Sequence, residues 1–175
     1  MFDTVLIAGL GLMGGSMAKT IKARTLSRVL GWNRTRATAE QALADGSIDA
    51  IATEALYKEA DLVIIGLYPQ ATVDWLLENM PKMKKGCVIV DMVGVKQFMV
   101  DHLEQAALDA GVHYVGGHPM AGREFSGLDF ALSTLFDGAS MIFVPTKSST
   151  ERVLEQLEAY FMSLGFGQTV RCTAQ

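Results

Sequence analysis

The chain has 175 residues, half of them apolar, with 15 lysines and arginines against 19 aspartates and glutamates, a net charge of −4 and a pI near 5.3. That length and apolar share suffice to bury a core, and residues 1–175 are expected to form one domain. The acidic balance, without any run dense in lysine or arginine, excludes a nucleic-acid partner and leaves small molecules or other proteins.

Residues 5–8 read as a buried strand, after which glycines turn the chain into a helix over 14–25 with Met17, Ala18 and Ile21 inward. Residues 28–32 are a second strand. A helix over 36–45 is stopped by Gly46, and the short apolar run 48–52 leads into a polar connection. Residues 62–67 are apolar on both faces, as parallel strands covered by helices are, and Tyr68-Pro69 ends them. A helix over 70–79 closes at Met80-Pro81, a strand spans 87–92, and a helix over 96–110 carries Val100, Leu103, Ala107 and Ala110 at helical spacing before Gly111. A strand over 113–117 precedes a long loop, 119–137, and another strand, 139–145. Ser148-Ser149-Thr150-Glu151 has capping-box spacing and opens a helix with Val153, Leu157, Tyr160, Phe161 and Leu164 on one stripe; residues 168–172 are the last strand.

Strands alternating with helices predict an α/β fold: a doubly wound, mostly parallel sheet with right-handed crossovers and ligands beyond the carboxyl ends of the strands. The glycine turn, Tyr68-Pro69, the turn 91–96 and His118 all follow strands, so they should share one rim. No apolar run approaches the roughly 18 to 20 residues of a membrane span, and no basic residue precedes the apolar stretch 5–18 as a secretory signal requires. Cys87 and Cys172 lie far apart in apolar runs, where a free thiol packs as a small hydrophobe; the expected compartment is a reducing cytoplasm.

Gly9-Leu10-Gly11-Leu12-Met13-Gly14 follows the first strand and opens the first helix, the context of a Rossmann-type dinucleotide fingerprint. Gly9 permits the tight turn, Gly11 lets the backbone approach a pyrophosphate, and Gly14 allows close helix packing, while the helix amino terminus, with Leu12 and Met13, offers N–H groups to phosphate. A purely structural glycine turn is the plainer alternative. At the end of the second strand, where an acid would accept the ribose hydroxyls of NAD, stand Asn33, Arg34 and Thr35. Asn33 lacks the charge that repels a 2′-phosphate, Arg34 can pair with one and Thr35 can donate a hydroxyl, which favours NADP, with NAD as the alternative. Arg34 and Arg36 could equally be a solvated helix start capped by Thr35.

His118 sits between small residues and a proline in Gly116-Gly117-His118-Pro119-Met120-Ala121-Gly122, a setting that presents an imidazole for chemistry. His102 lies on a polar helix face and His113 at a strand edge, and no Cys/His spacing suggests a metal.

These elements together, with Leu67-Tyr68-Pro69, Asp91-Met92-Val93-Gly94-Val95-Lys96, and Glu124, Ser126 and Gly127 after the histidine, resemble the prephenate dehydrogenase family and its arogenate-using relatives, over nearly the whole chain. The resemblance implies an NAD(P)-dependent oxidative decarboxylation of prephenate or arogenate in tyrosine biosynthesis, with His118 facing the substrate ring hydroxyl. It implies that Leu67, Tyr68 and Pro69 border the cofactor. It also implies a helical domain beyond this one that makes a homodimer and binds the substrate carboxylates. The chain stops at Gln175, so only the cofactor half is expected, with Arg123 the nearby candidate for a carboxylate. The family's Asp-x-x-Ser-x-Lys pattern is broken by Gly94, where the serine hydroxyl would lie near nicotinamide and substrate. Lys96 is left as a positive charge at the rim or a solvated helix opener, and Asp91 as a structural residue holding its turn. The alternatives are a non-catalytic nucleotide-binding module and a dehydrogenase of the 3-hydroxyisobutyrate type, which shares the Gly-Leu-Met-Gly turn and Asn-Arg but lacks the His-Pro-Met-Ala-Gly element.

Overall fold

In the computed structural model, which describes residues 2–175, the apolar runs become eight strands: β1 (Thr4–Ala8), β2 (Arg28–Trp32), β3 (Ala50–Ile51), β4 (Leu62–Ile65), β5 (Val88–Asp91), β6 (His113–Pro119), β7 (Ser140–Val144) and β8 (Gln168–Arg171). Six helices join them: α1 (Leu12–Arg24), α2 (Arg36–Ala44), α3 (Glu54–Tyr57), α4 (Pro69–Asn79), α5 (Lys96–Ala110) and α6 (Glu151–Ser163). The strands hydrogen-bond into one sheet in the order β3-β2-β1-β4-β5-β6-β7-β8.

Alternation along each strand feeds two cores. Val5, Ile7, Leu62 and Ile64 face the helices α1, α2 and α6, whereas Leu6, Ala8, Val63 and Ile65 face α3, α4 and α5. Each fully buried Leu, Ile or Val contributes on the order of 1.5–3 kcal/mol over its exposed state, so β4, buried on both faces, anchors the centre. The α6 stripe is buried as its spacing predicts, and the helix is capped by the Thr150 side chain, which accepts from the Val153 N–H at 3.3 Å; the cap lies two residues beyond the Ser148 that opens the sequence pattern.

Winding goes outward in both directions from the β1/β4 pair, which makes their carboxyl ends the switch point where ligands bind in such sheets. The register levels those ends: Ala8 stands beside Trp32 and Ile65, and Ile65 beside Asp91. The parallel ladder between β5 and β6 stops at Val115, but β6 runs on to Pro119, so His118 lies within a strand rather than after one. The overrun, Gly116–Pro119, is paired by β7, which is antiparallel to β6, while β8 runs parallel to β7. The sheet is therefore parallel through its first six strands and reverses at β7, the strand that pairs with the histidine segment.

Three local expectations are corrected. The stretch after residue 48 holds the two-residue strand β3 and the single-turn helix α3, both too short to give a periodicity. The loop after β6 contains a 3-10 turn, Leu128–Phe130, and packs on α1: the Leu132 N–H donates to Ser16 at 3.0 Å and Lys19 to the Ala131 carbonyl at 3.4 Å. Cys172 is exposed beyond β8 instead of packed, whereas Cys87 is buried and its thiol is pushed up to about 12 by desolvation.

Candidate active site

The glycine turn is built by close approach. Gly9 has φ +94, a left-handed conformation, and a β-carbon there would stand 2.6 Å from the Gly66 carbonyl oxygen at the end of β4. A β-carbon at Gly14 would collide with the Gly9 carbonyl, whereas one at Gly11 would meet nothing within 4 Å. Gly9 and Gly14 are thus needed for packing, and Gly11 leaves open space above the turn. Helix α1 starts at this point with Gly11 as its N-cap, without a side-chain cap and without an acidic residue in its first turn. Its first N–H groups and the positive end of its dipole therefore face the groove unneutralised.

A groove of about 480 Å³ runs along this rim, lined by Gly9, Gly11, Leu12, Met13, Asn33, Arg34, Gly66, Leu67, Tyr68, Ala71, Met92, Ser126 and Gly127. Eight of the expected cofactor residues line it; the other four lie behind. Gly14 packs under Gly9, Thr35 is the N-cap of α2, Pro69 opens α4, and Gly94 faces His118. Gly66, Ala71, Met92, Ser126 and Gly127 were not expected there. Gly66 carried a readable signal, a glycine at the end of the most apolar strand.

Asn33 is engaged by the chain itself through both ends of its amide: Oδ1 accepts from the Leu10 N–H at 2.9 Å and Nδ2 donates to the Thr35 carbonyl at 3.1 Å. It ties the glycine turn to the end of β2 while lining the groove. Arg34 is exposed and in no ion pair among the described residues, whereas Arg36 is paired with Glu40 at 3.1 Å. Arg34 is the free cation at the groove.

His118 projects two residues, roughly 6–7 Å, beyond the level of Gly116, where the parallel ladder has ended. A β-carbon on Gly94 would lie 3.5 Å from its Cε1 and 3.8 Å from its Nδ1. Among the described residues, Nδ1 is the one buried side-chain nitrogen or oxygen without a hydrogen-bond partner. An orphaned buried nitrogen costs on the order of 1–3 kcal/mol and is a mark of a site kept for chemistry. The other histidines are engaged by backbone: Nδ1 of His102 with the Phe98 carbonyl at 2.7 Å, and Nδ1 of His113 with the Ser148 carbonyl at 2.6 Å.

Lys96 departs from both expectations for it. Its side chain is 8% exposed and its ammonium is paired with the Asp91 carboxylate, which is wholly buried, so it is neither a rim charge nor a solvated helix opener. The same carboxylate accepts from the Val93 N–H at 2.8 Å and from the Tyr114 hydroxyl at 2.5 Å. Burial draws the Lys96 ammonium below its usual range while the Asp91 charge works the other way, and burial followed by Asp91 pushes the Tyr114 phenol up. The carboxylate is needed to hold the lysine charged at that depth. Arg123 is exposed in the loop after β6, donating to the Phe130 carbonyl at 2.7 Å and lying 5.8 Å over the Phe125 ring.

Residues 17–168 match the sequence model of the family described as prephenate dehydrogenase, nucleotide-binding domain. The chain belongs to that family. It is 37% identical over 162 residues to the prephenate dehydrogenase of Bacillus subtilis (strain 168), covering 90% of this chain and 43% of that protein. Its fold is similar to Synechocystis arogenate dehydrogenase, with a TM-score of 0.88 and 26% identity over 98% of this chain and 60% of that one. It is also similar to prephenate dehydrogenase from A. aeolicus, solved with hydroxyphenyl propionate and NAD+, with a TM-score of 0.89 and 25% identity over 99% of this chain and 61% of that one. The chain thus spans about half the length of the curated relative and three fifths of the solved ones. No helix among the described residues is long and apolar enough to cross a membrane.

Proposed function

We propose that this domain binds a nicotinamide dinucleotide in the groove and places His118 for the oxidative decarboxylation of prephenate or arogenate. The observation that carries the reading is the buried, unpartnered Nδ1 of His118 on the rim where the glycine turn ends. The residues present fit the cofactor: a glycine cradle that a β-carbon would fill, an uncapped helix amino terminus for pyrophosphate, and a groove of about 480 Å³.

The bound nicotinamide supplies the hydride acceptor. The protein's share is to hold the substrate ring against it and to manage one proton. Nδ1 is enclosed beside the turn carrying Gly94, which leaves Nε2 to meet the substrate hydroxyl. Nε2 accepts the hydroxyl proton as the ring C–H leaves as hydride and the C–O bond becomes a carbonyl. Loss of carbon dioxide then returns an electron pair to the ring, and the resulting phenolate oxygen regains a proton. An imidazole, able to accept a proton and return it, is matched to that exchange.

NADP is the favoured dinucleotide, because Arg34 is the unpaired cation at the groove and no carboxylate occupies the end of β2. Titrating the chain with NADPH and NADH tests this, and tighter NADH binding would overturn it. Turnover of prephenate or arogenate by the longer polypeptide, lost in His118→Asn, tests the reaction. Cyclohexadienyl substrates bring carboxylates, and Arg123 is the exposed cation of the His118 loop available for one. The homodimer is assigned to the family's helical portion, outside this chain.

A further inference from the structure

One face of β6 and one turn of chain match position for position. Tyr114, Gly116 and His118 alternate onto the same side of the strand. Opposite them stand Asp91, Lys96 and Gly94: the Tyr114 hydroxyl donates to Asp91, a β-carbon at Gly116 would meet the Lys96 Cδ at 3.0 Å, and a β-carbon on Gly94 would stand 3.5 Å from the His118 Cε1. Gly117, on the other face, leaves room for the Asp91 carbonyl, which a β-carbon there would strike. The turn 92–95 thus has its near end latched to Tyr114 through Asp91, whose carbonyl also packs against Gly117 beside the histidine, and two successive glycines in β6 let it lie that close.

Nδ1 has no hydrogen-bond partner, so the ring's place depends on what packs against it. A buried lysine, aspartate and tyrosine are also an expensive way to fill space in the interior of an apolar sheet, where apolar residues of similar volume serve at least as well.

We infer that Tyr114, with Asp91 and Lys96, is a positioning residue for His118: its hydroxyl fixes the Asp91 carboxylate, the carboxylate fixes residue 91 and its turn through the Val93 N–H and Lys96, and the Asp91 carbonyl, packed on Gly117, sets the strand that carries the imidazole. This rests on the proposed role of His118 for its meaning but not for its test. Tyr114 touches no ligand position and acts only through Asp91.

The test uses two variants that keep shape. Tyr114→Phe removes one hydroxyl, and Lys96→Met removes the ammonium and keeps the stem. In this chain, the imidazole Cε1–H resonance of His118, assigned by its loss in His118→Gln, should shift or broaden in both variants, while that of His102 stays in place and each variant still melts cooperatively. In the longer polypeptide, kcat should fall on the order of tenfold or more while KM and the NADPH Kd hold, as expected for a reacting group displaced by a fraction of an ångström. A His118 resonance in folded Tyr114→Phe that coincides with the wild-type signal overturns the inference. Should Tyr114→Phe not fold, Lys96→Met decides, and failure of both to fold would mark the trio as purely structural and overturn it as well. If the unaltered polypeptide turns over neither prephenate nor arogenate, the proposed function fails while the resonance still judges the latch.

Discussion

The Nδ1 atom of His118 and the α-carbon of Gly94 are separated by a gap the size of one small side chain: a β-carbon on Gly94 would sit 3.8 Å from that nitrogen and 3.5 Å from the neighbouring Cε1, both ordinary contacts. Gly94 does not have a positive φ, so a side chain there is free of backbone strain. Gly94→Ser should therefore be accepted, with its hydroxyl in reach of the orphaned nitrogen. The expected gain is about 1 kcal/mol from satisfying a buried group, read as a rise in the urea midpoint without a change in slope. A loss of stability would show that the gap is smaller than the backbone indicates.

Removing the imidazole separates binding from chemistry. His118→Asn should leave the NADPH Kd of the chain unchanged, because His118 does not line the groove. In the longer polypeptide it should lower kcat on the order of a hundredfold to ten-thousandfold, the range of a lost general base. An equal loss in cofactor affinity would place the histidine in the dinucleotide site instead.

Arg34→Ala should weaken NADPH binding on the order of tenfold or more, from loss of a charge-assisted contact of about 1.5–3 kcal/mol, and leave NADH unaffected. Isothermal titration of both nucleotides gives the ratio directly. Asn33→Ala should act differently, weakening both nucleotides alike, because it frees the Leu10 N–H and loosens the turn itself.

Alkaline stability has a definite sign. The Cys87 thiol is pushed up to about 12 in the folded chain by burial, from an ordinary value near 9. Its neutral form is kept by folding, so the contribution is complete below pH 9 and is lost as the pH climbs toward 12, where the unfolded chain ionises first. Tyr57, also raised to about 12 by burial and then by Glu54 and Glu78, adds in the same direction. The urea midpoint should fall between pH 9 and 11, and fall less in Cys87→Val. At pH 8, a thiol reagent should modify Cys172 at once and Cys87 only on unfolding.

The sheet was legible in the sequence because burial on both faces leaves uninterrupted apolar runs such as 62–65, and α5 was legible to the residue because Gly111 stops it in a left-handed cap. The groove's floor was legible because three glycines at fixed spacing have few other uses. What escaped is what depends on contacts distant in sequence. Nothing local tells that Asp91 meets Tyr114, 23 positions away, or that Ser126 and Gly127 fold back over the glycine turn. The reversal at β7 was invisible for a related reason: an apolar run records burial but not direction. Lys96 was misplaced because a lysine at a helix start is ordinarily solvated, and only its acidic partner inside the sheet explains its depth.

The continuation of β6 past its parallel neighbour has a thermodynamic consequence. Were residues 116–119 a loop, arranging them around a ligand would oppose each association by about 1–2 kcal/mol of backbone entropy per residue. Pairing with β7 confers that order during folding, before any ligand arrives. The amides of residues 116–118 should then exchange with deuterium only at the rate of global opening, in company with the sheet interior, and not at the faster rate of the segment that follows Pro119.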